Sequence, residues 1–334
     1  MLKNNTSPEI FDTLGSTRIG FGQGIVEAAA KDDRIVVVSA DLDESLQLLD
    51  FKRKFPDRFI QVGVAEQNLL GVAAGLALAG KIPVAASYAV FSPGRSWDQL
   101  RVSICYSELH VIVVGGHVGL QTGPDGAAHQ ALEDIALTRV LPNLTVVAPC
   151  DQAEARKAIK AAIKLPGPVY LRVERTKWPQ VTDDSSNFVI GQAETIVQGF
   201  QATVIACGAM VQQALTAIKS LEVQGYSVRL LNLSTIKPLD TAAILAACNE
   251  TGAILTVEEH QINGGLGGAV AECILENQGI NCLPPIFARM GVKDSFGESG
   301  LPQELLVAYG LGTSAIEQKI VALITAKQRM QQIL

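Results

Sequence analysis

The chain has 334 residues, 48% hydrophobic and 18% charged, with aromatic residues at only 5% and a formal net charge of −6. That length exceeds what one hydrophobic core usually organises, so two domains are expected. The acidic balance and the lack of a basic tract exclude nucleic acid and anionic membrane as natural partners.

The chain opens on a polar segment, residues 1–11 (MLKNNTSPEIF), with no apolar signal core. Its longest apolar run, 69–80, falls short of the ~20 residues a membrane-spanning helix needs. Short β-branched runs then alternate with helical patterns. Segments 35–39 (IVVVS), 84–87, 111–115 (VIVVG), 145–148 and 169–173 read as buried parallel strands. Helical spacing occupies 22–30, 66–79, 98–105 and 151–164. The last begins at Asp151 with Glu154 three residues on, a capping-box pattern. This alternation, with abundant Ala, Val and Gly, predicts an α/β fold with helices on both faces of a parallel sheet.

Residues 177–187 (KWPQVTDDSSN) break the rhythm and have linker composition. A second α/β pattern follows: strands at 203–207, 227–231 and 253–257, helices at 212–222 and 241–248. A glycine-rich turn at 264–268 (GGLGG) leads into a helix over 269–276. Six cysteines (105, 150, 207, 248, 273, 282) are scattered in apolar surroundings without a Cys-x-x-Cys pair. They read as buried thiols of a reducing compartment, so the chain is expected in the cytoplasm, with no metal site of its own.

Four segments could carry chemistry. In 58–75 (RFIQVGVAEQNLLGVAAG) a strand and a glycine turn deliver Glu66 to the start of a helix, where a carboxylate is also simply favoured by the helix dipole. In 117–130 (HVGLQTGPDGAAHQ) a long loop follows a buried strand and offers His117, Asp125 and His129 at the strand's carboxyl end, where ligands of parallel sheets bind. The Asp125-Gly126 pair reads equally as a turn. In 88–99 (YAVFSPGRSWDQ) Tyr88, Phe91 and Arg95 would make a wall for a planar heterocycle, or part of a core. Arg172 and Arg175 end the last strand of the first half, suited to phosphate or to pairing with Glu174.

Taken together and in this order, the segments resemble the transketolase family. The likeness runs through SADL (39–42), VGVAEQN (62–68), FSPGRSWDQ (91–99), DGAAHQALEDIA (125–136) and PCDQAEA (149–155). It continues through KPLD (237–240), VEEH (257–260), GGLG (264–267) and FGESG (296–300). 1-Deoxyxylulose-5-phosphate synthases and 2-oxoacid dehydrogenase β subunits share parts of the pattern. The resemblance implies a pyrimidine-binding domain over 1–180, a linker over 181–192 and a transketolase C-terminal domain over 193–334.

It also implies thiamine diphosphate, whose aminopyrimidine must be held by a carboxylic acid on a ring nitrogen. Glu66 matches that acid, and a buried carboxyl with a raised pKa would suit it. Tyr88 and Phe91, with Arg95, match positions around the pyrimidine, and Asp41 and Leu42 line the same pocket. Asp125 and His129 match residues that bond hydroxyls of a ketose donor. His117, Arg18, Ser45 and Arg175 match positions that bind substrate phosphate. The implied reaction moves a two-carbon ketol unit from a ketose phosphate to an aldose phosphate.

The Gly-Asp-Gly motif that binds diphosphate and Mg²⁺ in full-length relatives does not occur here. An N-terminal subunit is therefore expected as partner, in an α2β2 heterotetramer. Pro124 stands where many relatives have glutamate, and Gly94–Arg95–Ser96 replaces an aromatic-rich stretch, as in split forms. A related thiamine enzyme or a non-catalytic subunit of the same fold is the alternative. The presence of Glu66 speaks against the second.

Overall fold

The computed structural model describes residues 13–277 and 284–333. The polar start, 1–11, and Cys282 lie outside the described residues. The chain runs β1 (Leu14–Gly15), α1 (Thr17–Ala29), β2 (Ile35–Ser39), α2 (Leu49–Lys54), β3 (Phe59–Gln61), α3 (Glu66–Leu78) and β4 (Ile82–Tyr88). Next come α4 (Trp97–Gln99, continued as a π-helix over Leu100–Tyr106), β5 (Ile112–Gly116), a 3₁₀ segment (Leu120–Asp125), α5 (Asp134–Arg139) and β6 (Thr145–Val147). Then follow α6 (Gln152–Lys164), β7 (Val169–Val173) and β8 (Trp178–Pro179). The second half holds β9 (Glu194–Val197), β10 (Ala202–Ala206), α7 (Met210–Val223), β11 (Val228–Asn232), β12 (Thr235–Lys237) and α8 (Thr241–Thr251). It ends with β13 (Ala253–Gln261), α9 (Leu266–Asn277), β14 (Ile286–Val292), α10 (Pro302–Ala308) and α11 (Thr313–Ile333).

The first sheet has the order β12-β6-β7-β5-β4-β2-β3. Its strands from β2 to β7 all run parallel. Because successive residues of a strand face opposite sides, these apolar runs feed two cores. Val37, Val84, Ile112 and Val114 pack under α1 and α6, while Val38, Ala85 and Val113 pack under α3 and α4. Helices α1 and α6 touch closely: a Cβ on Gly20 would fall 2.0 Å from the Gln152 carbonyl oxygen, and one on Gly24 2.5 Å from an Ile159 methyl.

The second sheet, β14-β13-β10-β11-β9, is parallel except for β9. One face packs on α7 and α11; on the other, Ile205, Leu231, Leu233, Ile244 and Leu266 join the α3/α4 core of the first sheet. The two halves therefore share apolar interior. Strand β12, from the second half, closes the first sheet by pairing antiparallel with β6.

Several boundaries differ from the sequence reading. Helix α1 begins at Thr17 rather than 22, its first turns disguised by glycines 20 and 22. The stretch 177–187 contains β8, which pairs with β1 (Gly15↔Trp178). Only half of the capping box forms. Asp151 accepts the Glu154 N–H at 2.8 Å, but Glu154 turns away to accept Cys150 N–H at 2.6 Å and Asn232 Nδ2 at 2.8 Å. Glu154 thereby ties α6 to β11 of the second half, and burial pushes its carboxyl up to about 7.

Candidate active site

The parallel ladder brings the carboxyl ends of β2, β3, β4, β5 and β7 to one edge, and the residues singled out above sit in or next to the loops there, apart from Arg18 at the start of α1 and Arg172 within β7. Asp41, Leu42 and Ser45 follow β2, and Glu66 is the first residue of α3, after β3. Tyr88 ends β4 with Phe91 and Arg95 beyond it. His117, Asp125 and His129 follow β5, and Arg175 follows β7.

Glu66 is buried, 2% exposed, and its Oε2 accepts Arg95 Nη1 at 2.7 Å. The Arg95 guanidinium lies over the Phe91 ring, 4.7 Å from its centroid, and Phe91 in turn stacks with Tyr88 at 6.3 Å. A carboxylate, a cation and two aromatic faces thus form one continuous wall. Asp41 and Leu42 stand beside it without bonding Glu66. The Asp41 N–H donates to Gln61 Oε1 at 2.8 Å, and Leu42 N–H to Ser39 Oγ. Gln61 also accepts Gly63 N–H and donates to Asp43. Gln61 joins the β2 and β3 loops, and the sequence reading passed over it although it lies inside the quoted Glu66 segment.

On the other side of Tyr88 the site becomes cationic. The His117 ring lies 3.9 Å from the Tyr88 ring, and His129 meets Tyr88 and Phe91 edge-on at 6.0 and 5.5 Å. Arg18 Nη1 donates to the Ser45 carbonyl at 2.8 Å. Arg175 donates to the Thr122 carbonyl at 3.1 Å and pairs with Asp125 at 3.0 Å. Burial, then the charge of Arg175, holds Arg18 below the usual guanidinium range. Burial, Arg18 and Arg175 push the His117 imidazole down to about 3 against the pull of Asp125. His117 Nδ1, His129 Nδ1, Thr122 Oγ1 and Arg18 Nε are buried without a partner among the described residues. Cations that repel one another beside buried polar atoms without partners form an arrangement that an anion would relieve. Arg172 is not part of it: it is buried and pairs with Asp134 at 2.9 Å.

Residues 15–180 match the family model described as transketolase, pyrimidine binding domain, and residues 191–316 match transketolase, C-terminal domain. The chain belongs to the transketolase family. It is 41% identical over 306 residues to a Methanocaldococcus jannaschii chain described as a transketolase C-terminal section, covering 91% of this chain and 95% of that one. It is 40% identical over 292 residues to a 6-deoxy-6-sulfo-D-fructose transketolase subunit of Clostridium sp., covering 87% and 89%. Among solved structures, a split gene transketolase described as an inactive β4 tetramer superposes with a TM-score of 0.85 at 41% identity, covering 93% of this chain and 98% of that one. Along most of its length the chain is similar to subunits of split transketolases.

Behind the candidate site, VEEH becomes a buried contact between the two domains. Glu258 accepts Leu266 and Gly267 N–H groups at 2.6 and 2.8 Å, capping α9. Glu259 accepts the Gln121 backbone N–H at 2.6 Å, and its carbonyl accepts Arg172 Nη2 at 2.9 Å. His260 bonds the Gln261 carbonyl at 2.7 Å. Asp134 completes the group by accepting Tyr170 Oη and Arg172 Nε. Burial with Glu174 alongside pushes Glu259 up to about 8, while Arg172 and Gln121 pull it back. Among the described residues no group of three His, Cys, Asp or Glu is arranged to hold a metal ion, and no helix is long and apolar enough to cross a membrane.

Proposed function

We propose that this chain is the half of a split transketolase that binds the pyrimidine of thiamine diphosphate and the sugar phosphates, transferring a two-carbon ketol unit from a ketose phosphate to an aldose phosphate. The observation that carries the reading is Arg18, His117 and Arg175 gathered beside Tyr88, a place for the anionic end of a sugar next to an aromatic wall and a buried carboxylate. Kinship with a subunit named for a sulfonated sugar supports an anionic end as the recognised feature.

The residues fit the cofactor. Glu66 is shielded from water at a helix start and presents a carboxylate that already takes a donor from Arg95. In the assembled enzyme it would hold a proton at a pyrimidine ring nitrogen, with Arg95 displaced and Tyr88, Phe91, Asp41 and Leu42 enclosing the ring. Thiamine diphosphate supplies, when bound, the reactive carbon that ketol transfer needs. Asp125 and His129 would bond sugar hydroxyls, and Arg18, Ser45, His117 and Arg175 the phosphate. His117 stays neutral at neutral pH, free to accept or donate one hydrogen bond at each ring nitrogen.

The diphosphate and Mg²⁺ fall to an N-terminal partner subunit in an α2β2 assembly, in the cytoplasm. The exposed side of α3 and the turn before it favours such a partner: Val64 in the turn and Leu78 in the helix are 71% and 75% exposed, and Gly71 and Gly75 have open space where a side chain would stand. Alone, this chain would self-associate and stay inactive, in keeping with the inactive β4 tetramer of its solved relative. We take the domains as 1–180 and 193–334, joined by 181–192.

The test compares donors in the assembled enzyme. Xylulose 5-phosphate is expected to serve with ribose 5-phosphate as acceptor, and pyruvate is expected to fail. Turnover of pyruvate would move the chain to the 2-oxoacid or deoxyxylulose phosphate branch.

A further inference from the structure

We infer that Glu259, a residue of the C-terminal domain, is a positioning residue for the sugar-phosphate loop of the first domain, acting through Gln121. The inference rests on the proposed role of that loop in binding substrate.

Glu259 sits in β13 with 2% exposure, and each of its carboxylate oxygens has a task. One accepts the Gln121 backbone N–H at 2.6 Å, and the other accepts the Gln121 side-chain amide. Gln121 passes the restraint on. Its carbonyl accepts Thr176 Oγ1 at 2.9 Å, and its Oε1 accepts Trp178 Nε1. A single carboxylate is thereby linked to both segments that carry substrate groups: the loop of His117, Asp125 and His129, and the stretch after β7 that bears Arg175. The fit leaves no spare room, since a Cβ on Gly119, whose φ is +72°, would lie 2.5 Å from the Glu259 carboxyl carbon.

The far end of the loop is held from the same domain. Gln130 Nε2 donates to the Glu298 carbonyl at 2.9 Å, and a side chain at Gly297 would strike Gln130 Oε1. His117, at φ +56°, occupies the left-handed region, which costs a non-glycine residue about 1 kcal/mol or more and persists only where its surroundings fix it. The clamp at Gln121, four residues on, is such a restraint.

A carboxyl group serves both Gln121 donors because it can accept at each of its two oxygens, whereas an amide presents a donor in place of one of them. Glu259→Gln keeps the shape but sets an amide NH₂ against the Gln121 NH₂. Exchanging the two residue types, Gln121→Glu with Glu259→Gln, restores every bond. The amide introduced at 259 accepts the backbone N–H and donates to the carboxylate introduced at 121, whose second oxygen still receives Trp178.

The experiment uses the complete enzyme assembled with its N-terminal subunit, plus hydrogen exchange of this chain alone. Glu259→Gln is expected to raise the Michaelis constants of the sugar phosphates by about 10- to 100-fold and to leave thiamine diphosphate affinity unchanged. Peptides covering 117–130 should exchange faster. The exchanged pair is expected to restore both readouts to within about threefold of the parent. Unchanged constants and loop exchange in Glu259→Gln, or no recovery in the exchanged pair, would overturn the inference. Should Glu259→Gln not fold, Gln121→Met removes the side-chain half of the contact and is read the same way. If the parent enzyme shows no ketol transfer, the proposed function fails, while loop exchange still decides whether Glu259 holds the loop.

Discussion

The Arg95 guanidinium donates to the Glu66 carboxylate across 2.7 Å although the residues lie 29 positions apart, and only Glu66 of the two is buried. The acid proposed to hold the cofactor's pyrimidine is thus satisfied by a half-exposed cation that is free to turn outward. Replacing Glu66 by Ala frees an arginine that water can solvate, so the stability change should stay within about 1 kcal/mol. Turnover of the assembled enzyme is expected to fall by about 10²- to 10⁴-fold, the usual worth of a positioned acid–base group. Denaturation curves and ketol-transfer rates check both parts, and near-normal turnover would remove Glu66 from the chemistry.

Arg175 spans the Thr122 carbonyl and Asp125, facing the place assigned to phosphate. A hydrogen bond to a charged group contributes about 1.5–3 kcal/mol, so Arg175→Ala should raise the Michaelis constants of sugar phosphates about 10- to 150-fold. An unphosphorylated ketose should lose far less. Equal losses for both would place Arg175 away from the phosphate. His129→Ala, by contrast, should weaken phosphorylated and unphosphorylated donors alike.

His117 gives the protein a specific acid sensitivity. Its imidazole takes a proton only near pH 3 in the folded chain, against about 6.5 when unfolded. The unfolded state therefore binds the extra proton between these values, and stability falls as pH drops through the window, by at most about 1.4 kcal/mol per unit. His117→Asn, which suits the left-handed backbone, should flatten that part of the stability profile. An unchanged slope in chemical denaturation between about pH 6.5 and 4 would show that His117 is not held neutral. A bound sugar phosphate, by offsetting Arg18 and Arg175, should raise the His117 pKa in NMR titration.

Arg172 and Asp134 form a fully buried pair that also holds Tyr170 and the Glu259 carbonyl. Arg172→Met strands the Asp134 carboxylate and should destabilise the chain by about 3–5 kcal/mol, whereas Arg172→Met with Asp134→Leu should recover most of the loss. Urea denaturation of the three proteins measures this; an equally unstable double variant would mean that the pair is not mutually compensating.

Much of this was legible in the sequence. Ile35–Ser39 and Val169–Val173 form the strands that their short, largely apolar runs predict, as expected of strands covered on both faces. Glu66 does open its helix, and the loop after β5 does bring His117, Asp125 and His129 to the sheet's edge. Less legible were features set by distant partners. Strand β12 is three residues long, and nothing local says that it joins the first sheet rather than the second. Glu258, Glu259 and His260 stand out in the sequence only as a polar cluster, and are buried because Leu266, Gly267, Gln121 and Ala136 bring backbone N–H groups to them. Arg172 and Arg175, equivalent as strand-end cations, part company because Arg172 still belongs to β7 and points into the contact between the domains, while Arg175 lies beyond the strand in the loop that faces the site.

The most direct measurement mixes this chain with its N-terminal subunit, thiamine diphosphate and Mg²⁺, and follows ketol transfer from xylulose 5-phosphate to ribose 5-phosphate. Transfer in the mixture, none from either subunit alone, and loss of transfer with Glu66→Ala is the expected result. Two subunits that associate and bind the cofactor yet transfer nothing from any ketose phosphate would contradict the proposed activity.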